Sequence, residues 1–243
     1  MIDLDLAEAV ERDGFAILPD ALEPDLVTSL SVAVSGFSGG RREQGVYARG
    51  AVYALRNLFD LVPETKQALR ARALGNVVSA VLGPGAFCVR ALFLDKTPRS
   101  NWKVPWHQDA TIVVKARAEV TGFGPWTTKA GLQHVAAPPG TLSAMLTLRL
   151  HLDDCDEASG AMRVVPSSHQ DGRLPQDSIE QFTRYDATAI PMRRGGLLAM
   201  KPLLIRRANA STRPGPRRVI HLDFCARRLP LPLEWRTAYP LPS

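Results

Sequence analysis

A chain of 243 residues, 45% of them hydrophobic, can bury a sizeable core, and its length suits one large β-rich domain with helical additions. The net charge of +6 is concentrated late, where eleven Lys and Arg between Arg193 and Arg236 face only Asp223 and Glu234. That segment is rich in Leu, Pro and Ile and carries neither a basic helix nor the Gly-aromatic pattern of an RNA-binding sheet. It reads as a solvated basic face with one or two functional arginines, and no nucleic-acid partner is expected.

The opening MIDLDLAEAVERDGF lacks a basic region followed by an apolar run, so no signal peptide is expected, and no membrane span is evident. Cys88, Cys155 and Cys225 are odd in number and have no CxxC spacing. That argues against a disulfide framework or a thiolate zinc site and makes a reducing cytoplasm the default location.

In chain order, LDLAEAVERDGFAILPDALEPDLVTSLSVAVSGF divides into an amphipathic helix, a short strand at GFAILPD and a second helix after Pro24. SGGRREQGVYARGA reads as a polar, Gly-rich loop. VPETKQALRARALGNVVSAVLGPG predicts one or two helices, opened by Pro63 and ended at Gly83 to Gly85. From Phe87 the texture changes to short β-type runs: FCVRALFLDK, HQDATIVV, MLTLRLHLDD, MRVVPSS, ATAIPM, GGLLAMKPLLIRRA and RRVIHLDFCA. In MLTLRLHLDD the alternation places Thr147, Arg149 and His151 on one face of a half-buried strand and Leu148, Leu150 and Leu152 on the other. The expectation is a single domain. Residues 1–86 form a mainly helical N-terminal part, 87–226 a β sandwich or barrel, and 227–243 a C-terminal tail.

Four His-x-Asp tripeptides stand in the chain: His107-Gln-Asp109, His151-Leu-Asp153, His169-Gln-Asp171 and His221-Leu-Asp223. Chance supplies about 0.3 for this composition. On a strand, a His and an Asp two residues apart share a face and can converge on one ion, as two thirds of a 2-His-1-carboxylate triad. Context separates the four. Asp153 opens a polar turn, and His169 lies in a Pro-Ser-Ser turn, where it fixes a loop by hydrogen bonds. His221 shares a strand face with Arg217 and Val219 and reads as a pocket-lining histidine. Only His107 and Asp109 follow an aromatic and proline segment, Trp102, Pro105 and Trp106, that could wall off a reactive centre.

The blocks NWKVPWHQD, LTLRLHLDDCDEASGAMRVVPSSHQDGRL, GGLLAMKPLL and STRPGPRRVIHLDF, in this order and behind VERDGFAILPDALEPDLV, resemble the phytanoyl-CoA dioxygenase family of Fe(II)/2-oxoglutarate oxygenases. The resemblance implies a double-stranded β-helix, or jelly roll, mostly β with the N-terminal helices packed outside. It implies His107 and Asp109 as metal ligands, and Arg217 as the residue that takes the distal carboxylate of 2-oxoglutarate through a two-pronged contact. Arg218 would point to the opposite face. Lys96 and Arg90, on one face of their strand, could line the same cavity or be solvated strand residues.

One position departs from the family pattern. Eleven residues before the cofactor arginine, in a segment resembling PLLLH, the family has its second ligand histidine; here PLLIRRANAS puts Arg206 there, with Ala208 where a hydroxyl residue is common. Arginine cannot serve as a donor ligand. His134, His151, His169 or His221 could complete the site only if the fold brought one to that corner.

Two functions stay open. One is an oxygenase with the cofactors Fe(II) and 2-oxoglutarate that hydroxylates or otherwise oxidises a small organic substrate. The other is a metal-poor relative, catalytically impaired, that binds a small anion or a partner. Trp102, Trp106, Trp126, Lys129 and His134 fall on the long stretch before MLTLRL, which could cover the cavity mouth or simply pack as a loop. A basic pocket there would suit an acidic or carrier-bound small molecule.

Overall fold

A computed structural model describes residues 2–37, 45–48, 51–96, 101–181, 187–213 and 215–242. The helices are α1 (Ile2–Asp13), α2 (Pro24–Ser35), α3 (Leu58–Leu61), α4 (Arg72–Leu82), α5 (Pro139–Ser143) and α6 (Gln176–Gln181), with 3-10 turns at Pro63–Arg70 and Ser168–Asp171. The strands before the first gap in β texture are β1 (Phe15–Leu18), β2 (Gly45–Ala48) and β3 (Ala51–Leu55). They are followed by β4 (Phe87–Asp95), β5 (Val104–His107), β6 (Thr111–Val114), β7 (Trp126–Lys129), β8 (Leu132–Ala136) and β9 (Met145–His151). The last are β10 (Met162–Val164), β11 (Thr188–Ile190), β12 (Leu197–Met200), β13 (Arg206–Ala208), β14 (Arg218–Cys225) and β15 (Tyr239–Pro240).

Among the described residues all strand pairings are antiparallel. The major sheet runs β1-β12-β9-β14-β4-β3-β2, with β15 also on β4. A second sheet runs β11-β10-β13-β5, and a third, β6-β8-β7, continues one end. The first two sheets close over one another as a jelly roll. Three strands of the major sheet precede Phe87, so the N-terminal part is helical but also widens the roll at both edges. The segment expected as a Gly-rich loop instead supplies β2 and the start of β3, paired from Gly45 with Leu55 to Ala48 with Ala51. Val46 and Tyr47, and Val52 and Tyr53 just beyond the segment, are β-branched and aromatic residues that favour pairing over looping; residues 38–44 and 49–50 of it lie outside the described residues.

The outer face of the major sheet is its apolar one. Leu146, Leu148, Leu150 and Leu152 of β9 and its exit join Ile220, Leu222 and Phe224 of β14, and both meet Val10, Leu30, Leu74 and Val78 from α1, α2 and α4. Each such leucine, fully buried, contributes about 1.5–3 kcal/mol. The inner face carries the alternate residues: Arg90, Leu92 and Leu94 of β4, Thr147, Arg149 and His151 of β9, and His221 and Asp223 of β14. Every residue of β9 is buried, which corrects the expectation of a half-exposed strand; its polar face looks into the roll. Cys88, Cys155 and Cys225 are free and buried. Among the described residues no helix is long and apolar enough to cross a membrane.

Candidate functional site

Inside the roll lies a cavity of about 230 Å³, walled by β4, β5, β9, β13 and β14 and bordered by Trp102, Lys129 and His134. Charge sets it apart: Arg90, Arg149, Arg206, Arg207 and Arg217 line it, and Asp109 is the carboxylate among the lining residues.

The pair His107 and Asp109 is held by a break in the strand, where the spacing predicted a continuous one. β5 ends at His107 and β6 begins at Thr111. Gln108 fixes the turn between them, donating to the Gly172 and Leu203 carbonyls at 2.7 Å and accepting from the Leu174 amide at 2.9 Å. The Asp109 amide donates to the Pro202 carbonyl at 2.9 Å. His107 Nδ1 lies 2.8 Å from the Pro105 carbonyl, an oxygen that can only accept, so Nδ1 carries the proton and Nε2 of the neutral ring has the free lone pair. That Nε2 stands 3.8 Å from Asp109 Oδ1, and both side chains are 29% exposed toward the cavity.

Register places Arg206 of β13 directly opposite His107 of β5. Its side chain is 2% exposed; Nη1 donates to the Pro202 and Leu204 carbonyls at 3.2 Å, and Nη2 donates to Asp109 Oδ2. Burial alone would raise the Asp109 pKa, but Arg206 foremost, then His107 and Arg90, holds it well below the usual carboxylate range. The corner opposite His107 and Asp109 is therefore filled by a fixed cation. No other histidine takes it. His221 is turned to Asp223 at 3.0 Å, and His169 binds the Glu11 carbonyl of α1 at 3.0 Å, outside the cavity. His151 and His134 are buried with both ring nitrogens unpartnered. Among the described residues no three His, Cys, Asp or Glu side chains converge as a metal-holding group. This donor set, two ligands and a guanidinium, does not fit an iron ion.

Arg217 is buried and lines the cavity; its Nη1 donates to the Gly160 carbonyl and lies 3.9 Å from Cys155 Sγ. Gly160 has φ +80°, and a Cβ there would stand 2.5 Å from the Asn209 carbonyl oxygen, so that turn tolerates only glycine. Arg218, one residue on, points to the other face and binds Asp153 through Nε at 2.9 Å and Nη2 at 2.7 Å. Of the two cations expected on one strand face, Arg90 of β4 lines the cavity but is bonded to Asp223. Lys96, just past the end of β4, is buried with its ammonium on the Asn209 carbonyl and 5.6 Å from the Trp102 ring centroid, and it does not line the cavity. Burial and then Arg217 lower the Lys96 pKa to about 7.

Trp106 faces away from the cavity into a small core, under the Arg207 guanidinium at 4.8 Å. Trp126 packs beside a different core with Arg117 over it at 5.7 Å. Sequence reasoning missed Gln108, whose sequence neighbours hid its clamp, and Arg149, whose place between Thr147 and His151 on one strand face was the available signal.

Similarity to known proteins agrees with the jelly-roll fold. The fold is that of the non-haem iron oxygenases. AviO1 from Streptomyces viridochromogenes Tue57 superposes with a TM-score of 0.68 at 21% identity, over 93% of this chain and 96% of that one. EctD from S. alaskensis, crystallised with 2-oxoglutarate and 5-hydroxyectoine, gives 0.71 at 17% identity over 92% and 77%. SnoN, a non-haem α-ketoglutarate-dependent epimerase from nogalamycin biosynthesis, gives 0.66 at 18% identity over 92% and 82%. No curated protein matches the chain. The model of the phytanoyl-CoA dioxygenase (PhyH) family matches residues 10–219, and the chain belongs to that family of Fe(II)/2-oxoglutarate-dependent oxygenases.

Proposed function

We infer that this chain retains the part of the oxygenase site that binds 2-oxoglutarate, with Arg217 as its anchor, and that Arg206 closes the iron corner. It then acts as a small-anion-binding member of the family until that corner is freed. The contact of Arg206 with Asp109 carries this reading. A guanidinium about 4 Å from a divalent cation is repelled by roughly 8 kcal/mol at an effective dielectric of ~20, before screening. A buried Arg206 held by Asp109 and two carbonyls has no aliphatic route to water.

The second reading is turnover as an Fe(II)/2-oxoglutarate oxygenase acting on a small, acidic or carrier-bound substrate. It is supported by family membership and by His107 and Asp109 lying side by side on the cavity wall. In that case bound iron would supply oxygen activation at His107 and Asp109, and Arg217 would orient 2-oxoglutarate. Trp102, Lys129, His134 and His221 border the space left for substrate.

Succinate release from 2-oxoglutarate under oxygen, with Fe(II) added, separates the two. The closed-corner reading expects background release from the wild type and a clear rise in Arg206→His, which removes the cation and adds an imidazole at once. Stoichiometric turnover by the wild type, with no gain in the variant, contradicts it.

A further inference from the structure

Among the described residues, two buried guanidiniums of the cavity, Arg149 and Arg217, have no carboxylate partner, while the partly exposed Arg207 lies over the Trp106 ring. Arg90 is matched by Asp223 and Arg206 by Asp109. Among the described residues the Arg217 guanidinium meets the uncharged Gly160 carbonyl and Cys155 sulfur, and its Nε has no acceptor. Arg149 is 7% exposed, its Nε is unpartnered, and no hydrogen bond or ion pair engages its guanidinium among the described residues. Burial, then repulsion from Arg217 and Arg206, lowers the Arg149 pKa to about 9, so it stays charged at neutral pH. Two like charges buried without counter-ions are costly unless something brings them an anion. The cavity lies against both, and Leu92, Leu94 and Met162 give it an apolar wall. At about 230 Å³ it is smaller than the ~300–1,000 Å³ of drug-sized pockets.

We propose that the cavity binds a small dicarboxylate without a metal ion, one carboxylate on Arg217 and the other on Arg149. The proposal rests on the closed-corner reading, because only then is the second carboxylate left to a side chain. The apolar wall favours a carbon chain between two charged ends over a phosphate group, which offers none. Arg149 supplies a planar fork suited to a carboxylate.

Calorimetric titration of the full chain in EDTA, with 2-oxoglutarate, glutarate, pentanoate and inorganic phosphate as probes, tests this. Both dicarboxylates should bind the wild type, and pentanoate should bind at least tenfold more weakly. Arg149→Gln should weaken the dicarboxylates tenfold or more, and Arg149→Lys, which keeps the charge but not the fork, by less. Without ligand, Arg149→Gln should melt no lower than the wild type, since it removes an uncompensated charge. A lower melting temperature would make Arg149 a structural residue and overturn the proposal. Equal dicarboxylate affinities in wild type and Arg149→Gln overturn it too, as does phosphate binding as tightly as glutarate. Binding of 2-oxoglutarate only once Fe(II) replaces EDTA overturns the closed-corner reading instead, and with it the metal-free part of this one.

Discussion

Arg217 and Arg218 are neighbours in one basic stretch, yet β alternation gives them opposite surroundings. Arg217 enters the cavity with its charge uncompensated, whereas Arg218 is spent on Asp153 and on Ser35 at 2.9 Å. A charge-assisted two-pronged contact is worth about 1.5–3 kcal/mol, so Arg217→Ala should weaken 2-oxoglutarate binding tenfold to a hundredfold. Arg218→Ala should leave that affinity unchanged and lower unfolding stability by about 1.5–3 kcal/mol. Calorimetry and urea unfolding on the same two variants check both halves, and a binding defect in Arg218→Ala would reverse the assignment. The same contrast explains what was legible at this scale. Arg206, Arg217 and the pair His107 and Asp109 could be located by position and resemblance. The freedom of Arg149 could not, because it depends on which carboxylates the fold assigns to other arginines.

At the scale of strands, β4, β9 and β14 hold a polar cluster on their shared inner face. Asp223 accepts from Thr147 Oγ1 at 2.6 Å, from His221 Nε2 at 3.0 Å and from Arg90 Nε. Burial opposes its ionisation, but Arg90, then His221, holds its pKa well below the usual range. Asp223→Asn would keep the shape and strand Arg90 as a buried charge. It should cost about 3–5 kcal/mol in urea unfolding, part of it recovered by adding Arg90→Leu. A loss under about 1 kcal/mol would mean that solvent already compensates Arg90. Much of this element order was readable: the helices after Pro24 and Pro63, the β texture from Phe87 and the long strands β4, β9 and β14 follow from period and breakers. The two failures have physical causes. In a closed roll a strand's polar face can be as buried as its apolar one, so alternation in β9 marked the inner wall and not solvent. And β5 stops at His107 because Gln108 spends its side chain on the backbone of other segments, a tertiary contact that local pattern does not contain.

For the whole molecule, the interior is unusually cationic, and its histidines answer to that. Burial first, then Arg90 and Lys129, lowers the His134 pKa to about 4, from 6.5 when unfolded. A group with a depressed cationic pKa binds protons more readily when unfolded, so its contribution is full above about pH 6.5 and is lost as pH falls toward 4. At ~1.4 kcal/mol per unit, His134 alone should remove roughly 2 kcal/mol between pH 6.5 and 5. His134→Gln should flatten the stability profile over that window, measured by urea unfolding at each pH; an unchanged slope would assign the acid sensitivity elsewhere. The central claim is that the protein itself supplies the positive charge at the corner where the family holds its metal. Anaerobic equilibrium dialysis against Fe(II) with 2-oxoglutarate present, followed by metal analysis, tests it most directly. The account expects far less than one iron per wild-type chain and an approach to one per chain in Arg206→His. One tightly held iron in the wild type would contradict it.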